Sequence, residues 1–261
     1  DVDVIGSTSM MVEAEVTAAL AEALTRLGFE DFRIHTNHRN LLRALMEESG
    51  IPEQQRGDAM IAIDKLDKIG MEGVVSELED RGIERNAIDT LMPLLEQGGS
   101  STSPPFDNEE TLDRLSKAVG VNENGQQAIA DLRGLMAFTD GGPAAEHLYI
   151  DPYLARGLSY YTGAIFEIRS DDFDGSLGGG GRYDELIGMF SNDSVPACGF
   201  SLGVERILVL MDESGTNSSL RRPPSWPAIC ARPACESTCI PPTTTGSASN
   251  SGTPTSGTSR S

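Results

Sequence analysis

HLYIDPYL (residues 147–154) and SYYTGAIFEIRS (159–170) decide the fold class. In both, β-branched and aromatic residues alternate with other positions, which is the period of two expected of strands. The connection Ala155-Arg156-Gly157-Leu158 is short, so the two are expected to be adjacent and antiparallel. Next comes GSLGGGGRYDELIGMF (175–190), in which Gly178 to Gly181 run into Arg182, Tyr183 and Asp184. Taken alone the glycines fit either a flexible turn or a strand whose bare backbone lets a ligand lie against it. A short helix is expected from Asp184 to Met189, a buried strand over ACGFSLG (197–203), and a helix from Val204 to Met211.

Working outward, Val12, Val16, Leu20, Leu24 and Leu27 fall on one helical face that Gly28 closes. Phe32 and Ile34 alternate as a short strand, and Leu41, Leu42, Leu45 and Met46 begin another helix. Residues 51–140 have the spacing of consecutive short helices, with Met71, Val74, Val75 and Leu78 on one face and Leu112, Leu115 and Val119 on another. Strands grouped together and helices grouped apart make an α+β fold with an antiparallel sheet, flanking helices and a small helical insertion.

A chain of 261 residues with 38% apolar content can bury a core. No apolar run approaches the roughly 20 residues of a membrane helix, and the N-terminus does not read as a signal peptide, so a soluble cytoplasmic protein with no membrane partner is expected. The net charge of −20 excludes a broad, non-specific grip on nucleic acid, so any such contact must be local. From Ser214 onward the composition shifts to Arg, Pro, Cys, Ser and Thr with a single acid, Glu236. Residues 214–261 are therefore expected to be a disordered or frame-shifted tail, and the spacing of Cys230, Cys235 and Cys239 does not suit zinc.

Familiar motifs fail on inspection. The glycine run lacks the ending of a phosphate-cradling P-loop and the pattern of a dinucleotide fold. Gly199-Phe200-Ser201-Leu202-Gly203 matches a hydrolase elbow, yet no histidine follows His147 to complete a triad. His35, His38 and His147 have no metal-ligand spacing and are expected to be surface or satisfied core residues, so no metal site is assigned. Arg156 and Arg206 each stand beside a glycine-containing turn, where a planar cation either meets phosphate oxygens or forms an ordinary salt bridge.

Their surroundings narrow the choice. LARGLSYYTGAIFEI (154–168) resembles the histidine-specific segment R-G-L-D-Y-Y-x-x-x-x-F-E of histidyl-tRNA synthetases, and GGGRYDEL (179–186) resembles their second histidine-specific segment. VPACGFSLGVERILVLM (195–211) resembles motif 3 of class II synthetases, DVDVIG at the start resembles the strand after motif 2, and FRIHTNHRNLLRAL (32–45) fits the stretch that follows. The resemblance covers about residues 1–212. It implies a class II synthetase-like fold, with residues 1–50 and 141–213 as two parts of a catalytic domain and 51–140 inserted between them.

The resemblance also implies chemistry. Such enzymes activate histidine with ATP, whose bound Mg²⁺ needs no dedicated protein site, and transfer the histidyl group to tRNA(His). Arg156 is implied as the catalytic cation at the α-phosphate and the histidine carboxylate. Arg206, Gly199 and Gly203 are implied for ATP, and Asp3, Tyr161, Tyr183, Gly179 and Gly180 for histidine. Ser159 departs from the Asp of many relatives, which puts the support of the pocket in question. Motifs 1 and 2 and the anticodon-binding domain are not in the sequence, so an inactive fragment is expected of an enzyme that is a homodimer at full length. The alternative is a non-catalytic, histidine-sensing regulatory paralogue of ATP phosphoribosyltransferase. Such paralogues commonly degrade the arginine motifs that this chain keeps.

Overall fold

The computed structural model describes residues 1–95, 107–155, 160–171, 173–190 and 193–213. The expected tail from Ser214 lies outside them. Along the chain, β1 (Val2–Ile5), α1 (Met11–Arg26), β2 (Phe32–His38) and α2 (Arg39–Glu48) come first. Then follow α3 (Glu53–Ile63), α4 (Leu66–Asp80), α5 (Arg85–Leu95), α6 (Asn108–Ala118) and α7 (Glu123–Thr139). The remainder is β3 (Leu148–Ile150), β4 (Ala164–Ser170), β5 (Phe173–Arg182), a 3-10 turn over Ile187–Met189, β6 (Ala197–Leu202) and α8 (Val204–Glu213).

Local chemistry sets these limits. In α1, Val12, Val16, Leu20 and Leu24 are buried at intervals of four, one stripe of the helix. The helix stops where Gly28 turns to φ +92°, a conformation that side chains with a Cβ resist. Side chains cap the starts of three others: His38 accepts from the Asn40 amide, Asp107 from Glu110 and Asn122 from Gly125.

The strands form one sheet in the order β1-β6-β5-β4-β2-β3, antiparallel throughout except for the parallel β2–β3 pair. The strands on either side of Arg156 are therefore not neighbours, contrary to the expectation from their short connection. β2 separates them, with Ile34 opposite Leu148 on one side and Ile168 on the other. Polar groups of β2 hold the chain that leaves β3. The Asp151 amide donates to the Thr36 carbonyl at 2.9 Å, and the Asn37 carboxamide donates to the carbonyls of Pro152 and Leu154 at 3.1 Å each. β2 is also longer than Phe32 and Ile34 suggested and is buried nearly throughout, so no alternation survives to mark its second half.

Two apolar clusters cover the sheet. α1 and α8 bring Leu20, Leu24 and Leu210 onto Phe166, Ile168 and Phe200. The helices α2 to α7 build a second core around Leu45, Ile88, Leu91, Leu115 and Leu132, which reaches the sheet through Ile150 and Ile165. No helix among the described residues is long and apolar enough to cross a membrane.

The glycine run is a strand. Gly178 to Gly181 pair with Ile165 to Ile168 of β4 and with Gly199 to Leu202 of β6. An added Cβ at Gly180 lies 2.0 Å from the Gly199 carbonyl oxygen and 2.6 Å from the Phe200 Cα, both main-chain atoms. At Gly57, in the interior of α3, nothing lies within 4 Å of an added Cβ. The expected short helix over Asp184–Met189 is absent: the chain makes a turn and then the 3-10 turn, because the Asp184 amide and carboxylate are held by Thr162 and by the Ala197 amide.

Gly180→Ala is thus expected to destabilise the chain by about 3 kcal/mol or more, since backbone cannot yield as a flexible side chain can. Gly57→Ala is expected to stabilise it by about 0.5–1 kcal/mol. Urea unfolding of both variants checks this, and equal effects of the two would contradict the steric account.

Candidate functional site

Arg182 and Tyr183 are neighbours with opposite destinations. Arg182 turns inward, where its guanidinium grips the fully buried Glu13 through both carboxylate oxygens, with Nη2 at 2.8 Å from Oε2 and Nε bonded to Oε1. The same guanidinium donates to Asp184 at 3.0 Å and to the Ser7 and Ser9 carbonyls at 3.0 and 3.4 Å. Burial alone lowers an arginine pKa, but Glu13 and Asp184 outweigh it and hold this one above its ordinary value. One side chain thereby ties together β5, α1 and the segment before α1. The Thr162 amide donates to the Arg182 carbonyl at 2.8 Å, and the Tyr183 amide donates to Ala197 at 2.8 Å.

Held in this way, Tyr183 reaches the opposite way and donates its hydroxyl to the Asp3 carboxylate. Strand register brings these groups together: Asp3 stands opposite Gly199, and Gly199 opposite Gly181. Across β1, β6 and β5 that row carries one side chain, the Asp3 carboxylate. It occupies the very space a Cβ on Gly199 would need, 2.1 Å from Asp3 Oδ1. A cavity of about 220 Å³ opens here, lined by Asp3, Tyr160, Tyr161, Gly179, Gly180, Tyr183, Gly199 and Ser201.

The wall is aromatic. Tyr160 and Tyr161 have ring centroids 4.5 Å apart and hydroxyls at 3.3 Å, and Tyr160 meets Tyr183 edge to face at 6.2 Å. Burial, and then the bond to Asp3, push the Tyr183 phenol pKa up from its ordinary value. The arrangement offers a carboxylate and phenolic hydroxyls above a floor without side chains. That suits a flat polar ring with one N–H donor and one acceptor.

Of the residues expected from the sequence, Asp3, Tyr161, Tyr183, Gly179, Gly180 and Gly199 come together in this cavity. Gly203 and Arg206 do not line it. The Gly203 amide donates to the Leu177 carbonyl at 2.8 Å, and the exposed Arg206 donates to the Ser176 carbonyl, further along β5. Arg156 and Ser159 lie outside the described residues. Tyr160 was not expected here, although it adjoins Tyr161 in sequence, and Ser201 was considered only as the serine of a hydrolase elbow. Glu13 gave no signal, because an acid in the first turn of a helix is ordinary.

Each histidine has a partner within the fold. His35 Nδ1 lies 2.7 Å from the buried Asp151 carboxylate, His38 caps α2, and His147 stacks on Phe32 at 3.9 Å. Among the described residues no group of three or more His, Cys, Asp or Glu is placed to hold a metal ion.

Comparison with known proteins gives the following. The family profile described as Histidyl-tRNA synthetase matches residues 2–207. The histidine–tRNA ligase of Gloeobacter violaceus is 41% identical over 225 residues, which is 85% of this chain and 47% of the relative. That of Leifsonia xyli is 40% identical over 81% of this chain and 48% of its own length. Among solved structures, histidyl-tRNA synthetase from Nostoc sp. PCC 7120 superposes with a TM-score of 0.72 at 29% identity, over 82% of this chain and 50% of that one. A Bacillus halodurans protein described as an ATP phosphoribosyltransferase regulatory subunit/histidyl-tRNA synthetase gives 0.66 at 25% identity, over 80% and 51%. The chain spans about half the length of the relatives it matches.

Arg182→Met, which leaves Glu13 buried and unpaired, is expected to cost about 3–5 kcal/mol, and Arg182→Met with Glu13→Leu less than that. Chemical denaturation of both variants tests the pair, and a double variant no better than the single would speak against it. A second expectation concerns alkaline pH. With its folded pKa raised, Tyr183 contributes stability that is fully present below the unfolded value of about 10 and is lost as pH rises through the folded one. The difference in phenolate absorbance between wild type and Tyr183→Phe should therefore show a midpoint above 10, and a midpoint at or below 10 would refute the burial of this phenol.

Proposed function

The chain belongs to the histidyl-tRNA synthetase family, and on that premise we propose that it is the histidine-selecting part of a histidine–tRNA ligase. The observation that carries the proposal is the row of Asp3, Gly199 and Gly181 beside Tyr161 and Tyr183. An imidazole lies flat on the glycine strand, donates its N–H to the Asp3 carboxylate and accepts from a tyrosine hydroxyl. A site built to satisfy both ring nitrogens rejects side chains that lack them, because its own polar groups are then left unpaired.

In the proposed reaction the histidine carboxylate attacks the α-phosphorus of ATP in line. A carboxylate oxygen–phosphorus bond forms, the bond to the β-phosphate oxygen breaks, and pyrophosphate leaves with its electron pair. The ribose hydroxyl at the end of tRNA(His) then attacks the histidyl carbonyl and AMP leaves. Arg156 is the cation that neutralises charge at the α-phosphate, and Arg206 and Gly203 belong to the ATP side. Mg²⁺ enters with ATP, on phosphate oxygens. The assembly of the full-length protein as a homodimer and its cytoplasmic location are parts of the same proposal.

A second reading, a histidine-sensing regulatory subunit, is favoured by the likeness to the Bacillus halodurans protein. Relatives named histidine–tRNA ligase at 34–41% identity weigh more heavily for the ligase.

Calorimetric titration of histidine into the chain is expected to show binding that Asp3→Ala weakens tenfold or more, and indifference to Asp3 would remove the proposed pocket. In a protein that unites this chain with the remaining length of its relatives, Arg156→Ala is expected to slow histidine-dependent ATP–pyrophosphate exchange by about 10². A loss of less than tenfold would assign Arg156 to a salt bridge. Histidine binding with no exchange in that full-length protein would favour the regulator.

A further inference from the structure

The stretch between β3 and β4 carries Arg156 and the cavity tyrosines Tyr160 and Tyr161, and it is tied down at both ends. At the β4 end the Thr162 amide donates to the Arg182 carbonyl at 2.8 Å, and the Gly163 carbonyl accepts from the Arg39 amide at 3.0 Å. At the β3 end residues 151–155 make a turn closed by the Leu154 amide, which donates to the Asp151 carbonyl at 3.1 Å. Two side chains of β2, His35 and Asn37, hold that turn.

His35 and Asn37 stand two apart on β2, and so on one face of the sheet. That face is the cavity's. His35 is opposite Glu167 in β4, and Glu167 is opposite Gly179 on the cavity floor, two strand spacings or about 10 Å away. Asn37 takes the carbonyls of Pro152 and Leu154. His35 Nδ1 lies 2.7 Å from Asp151 Oδ2, while Asp151 Oδ1 accepts from the Tyr153 amide at 3.0 Å. Burial alone raises a carboxyl pKa, but the bond from His35, the charge of Arg169 and the Tyr153 amide outweigh it and hold Asp151 below its ordinary value. Asp151 is therefore an acceptor only, and His35 Nδ1 carries the shared proton.

Packing alone does not fix the turn. A cavity of about 110 Å³ adjoins the pair, with His35, Asp151, Leu154 and Ala155 on one side and Asp64 and Leu66 of the α3–α4 junction on the other. With space beside them, the ring and the turn keep their places through directed bonds, and loss of a bond leaves room to shift. Ala155 is buried and immediately precedes Arg156. A shift of about 1 Å at Ala155 passes to the next residue through one planar peptide, and such a misplacement is enough to slow a reaction about 10²-fold.

We infer that His35 and Asp151 are a positioning pair for the proposed reaction, fixing the turn at 151–155 and thereby the point from which the chain enters Arg156. The inference rests on the ligase reading, in which Arg156 meets the α-phosphate. Both residues act through the chain, not by contact with substrate. Their effect falls on rate more than on the hold on histidine, because Asp3 and Tyr183 are placed by strand register and by Arg182.

His35→Leu removes the donor to Asp151, whereas His35→Asn keeps a carboxamide N–H near the place of Nδ1. In the chain itself, hydrogen exchange of the Tyr153 and Leu154 amides is expected to quicken about tenfold or more in His35→Leu and less in His35→Asn, with the Gly203 amide unchanged. In the protein that unites this chain with the remaining length of its relatives, kcat of histidine-dependent ATP–pyrophosphate exchange is the second readout. His35→Leu is expected to lower it about tenfold or more, with KM for histidine changed less than about twofold, and His35→Asn to restore most of it. His147→Leu, which removes the stack on Phe32, is expected to cost stability and leave kcat unchanged. Should His35→Leu not fold, His35→Phe, a ring without a donor, is read in its place. An unchanged kcat in the folded variant overturns the positioning role, as do indifferent turn amides or a His35→Asn protein no better than His35→Leu. Wild-type protein without exchange sinks the ligase reading and this role with it, whereas wild-type exchange indifferent to His35 sinks this role alone.

Discussion

A fully buried carboxylate, Glu13, held through both oxygens by Arg182, is the constraint on which the rest of the site depends. Burying two charges is costly, and a pair of this kind is rarely a large net source of stability. Its value is geometric. A guanidinium fork admits few orientations, and every donor direction of Arg182 is matched by Glu13, Asp184 or a carbonyl of the segment before α1. With Arg182 pinned inward, the next side chain along an extended chain must point outward. Tyr183, the residue after the end of β5, is thereby aimed at Asp3.

Missing side chains matter as much as present ones. The glycine strand is commonly pictured as room for a ligand, and part of that room is consumed internally. Gly180 yields to the backbone of β6, and Gly199 yields to the Asp3 carboxylate. The result is a polar group laid over a bare sheet and fixed by register, with Gly179 and Gly180 still on the cavity floor. Register is strict here because a slip by one residue would send Asp3 to the face covered by α1.

Charge divides the chain by location more than by sum. Arg81 and Arg85 of the helical insertion are drawn into ion pairs with Glu77 and Asp89.

The helices apart from the one expected over Asp184–Met189, the strand segments, the α+β class and the grouping of Asp3, Tyr161, Tyr183, Gly179 and Gly180 were legible in the sequence. Periodicity reports which face of a local element is apolar, and the family segments within residues 1–212 are recognisable, with Ser159 as a departure. Arg156 could be named from its motif, but its surroundings lie outside the described residues. Sequence reasoning misplaced β3 beside β4, since only the pairing of β2 on both edges, with Asn37 holding the carbonyls of Pro152 and Leu154, reveals the strand between them. Glu13 was invisible because burial of a charge depends on a partner 169 residues away. What the sequence by itself determined was thus the family and most of the local elements. Tertiary structure alone decided which strands are neighbours, which charge is buried and which glycine makes room for which atom, because those outcomes arise from contacts between distant segments that no local pattern encodes.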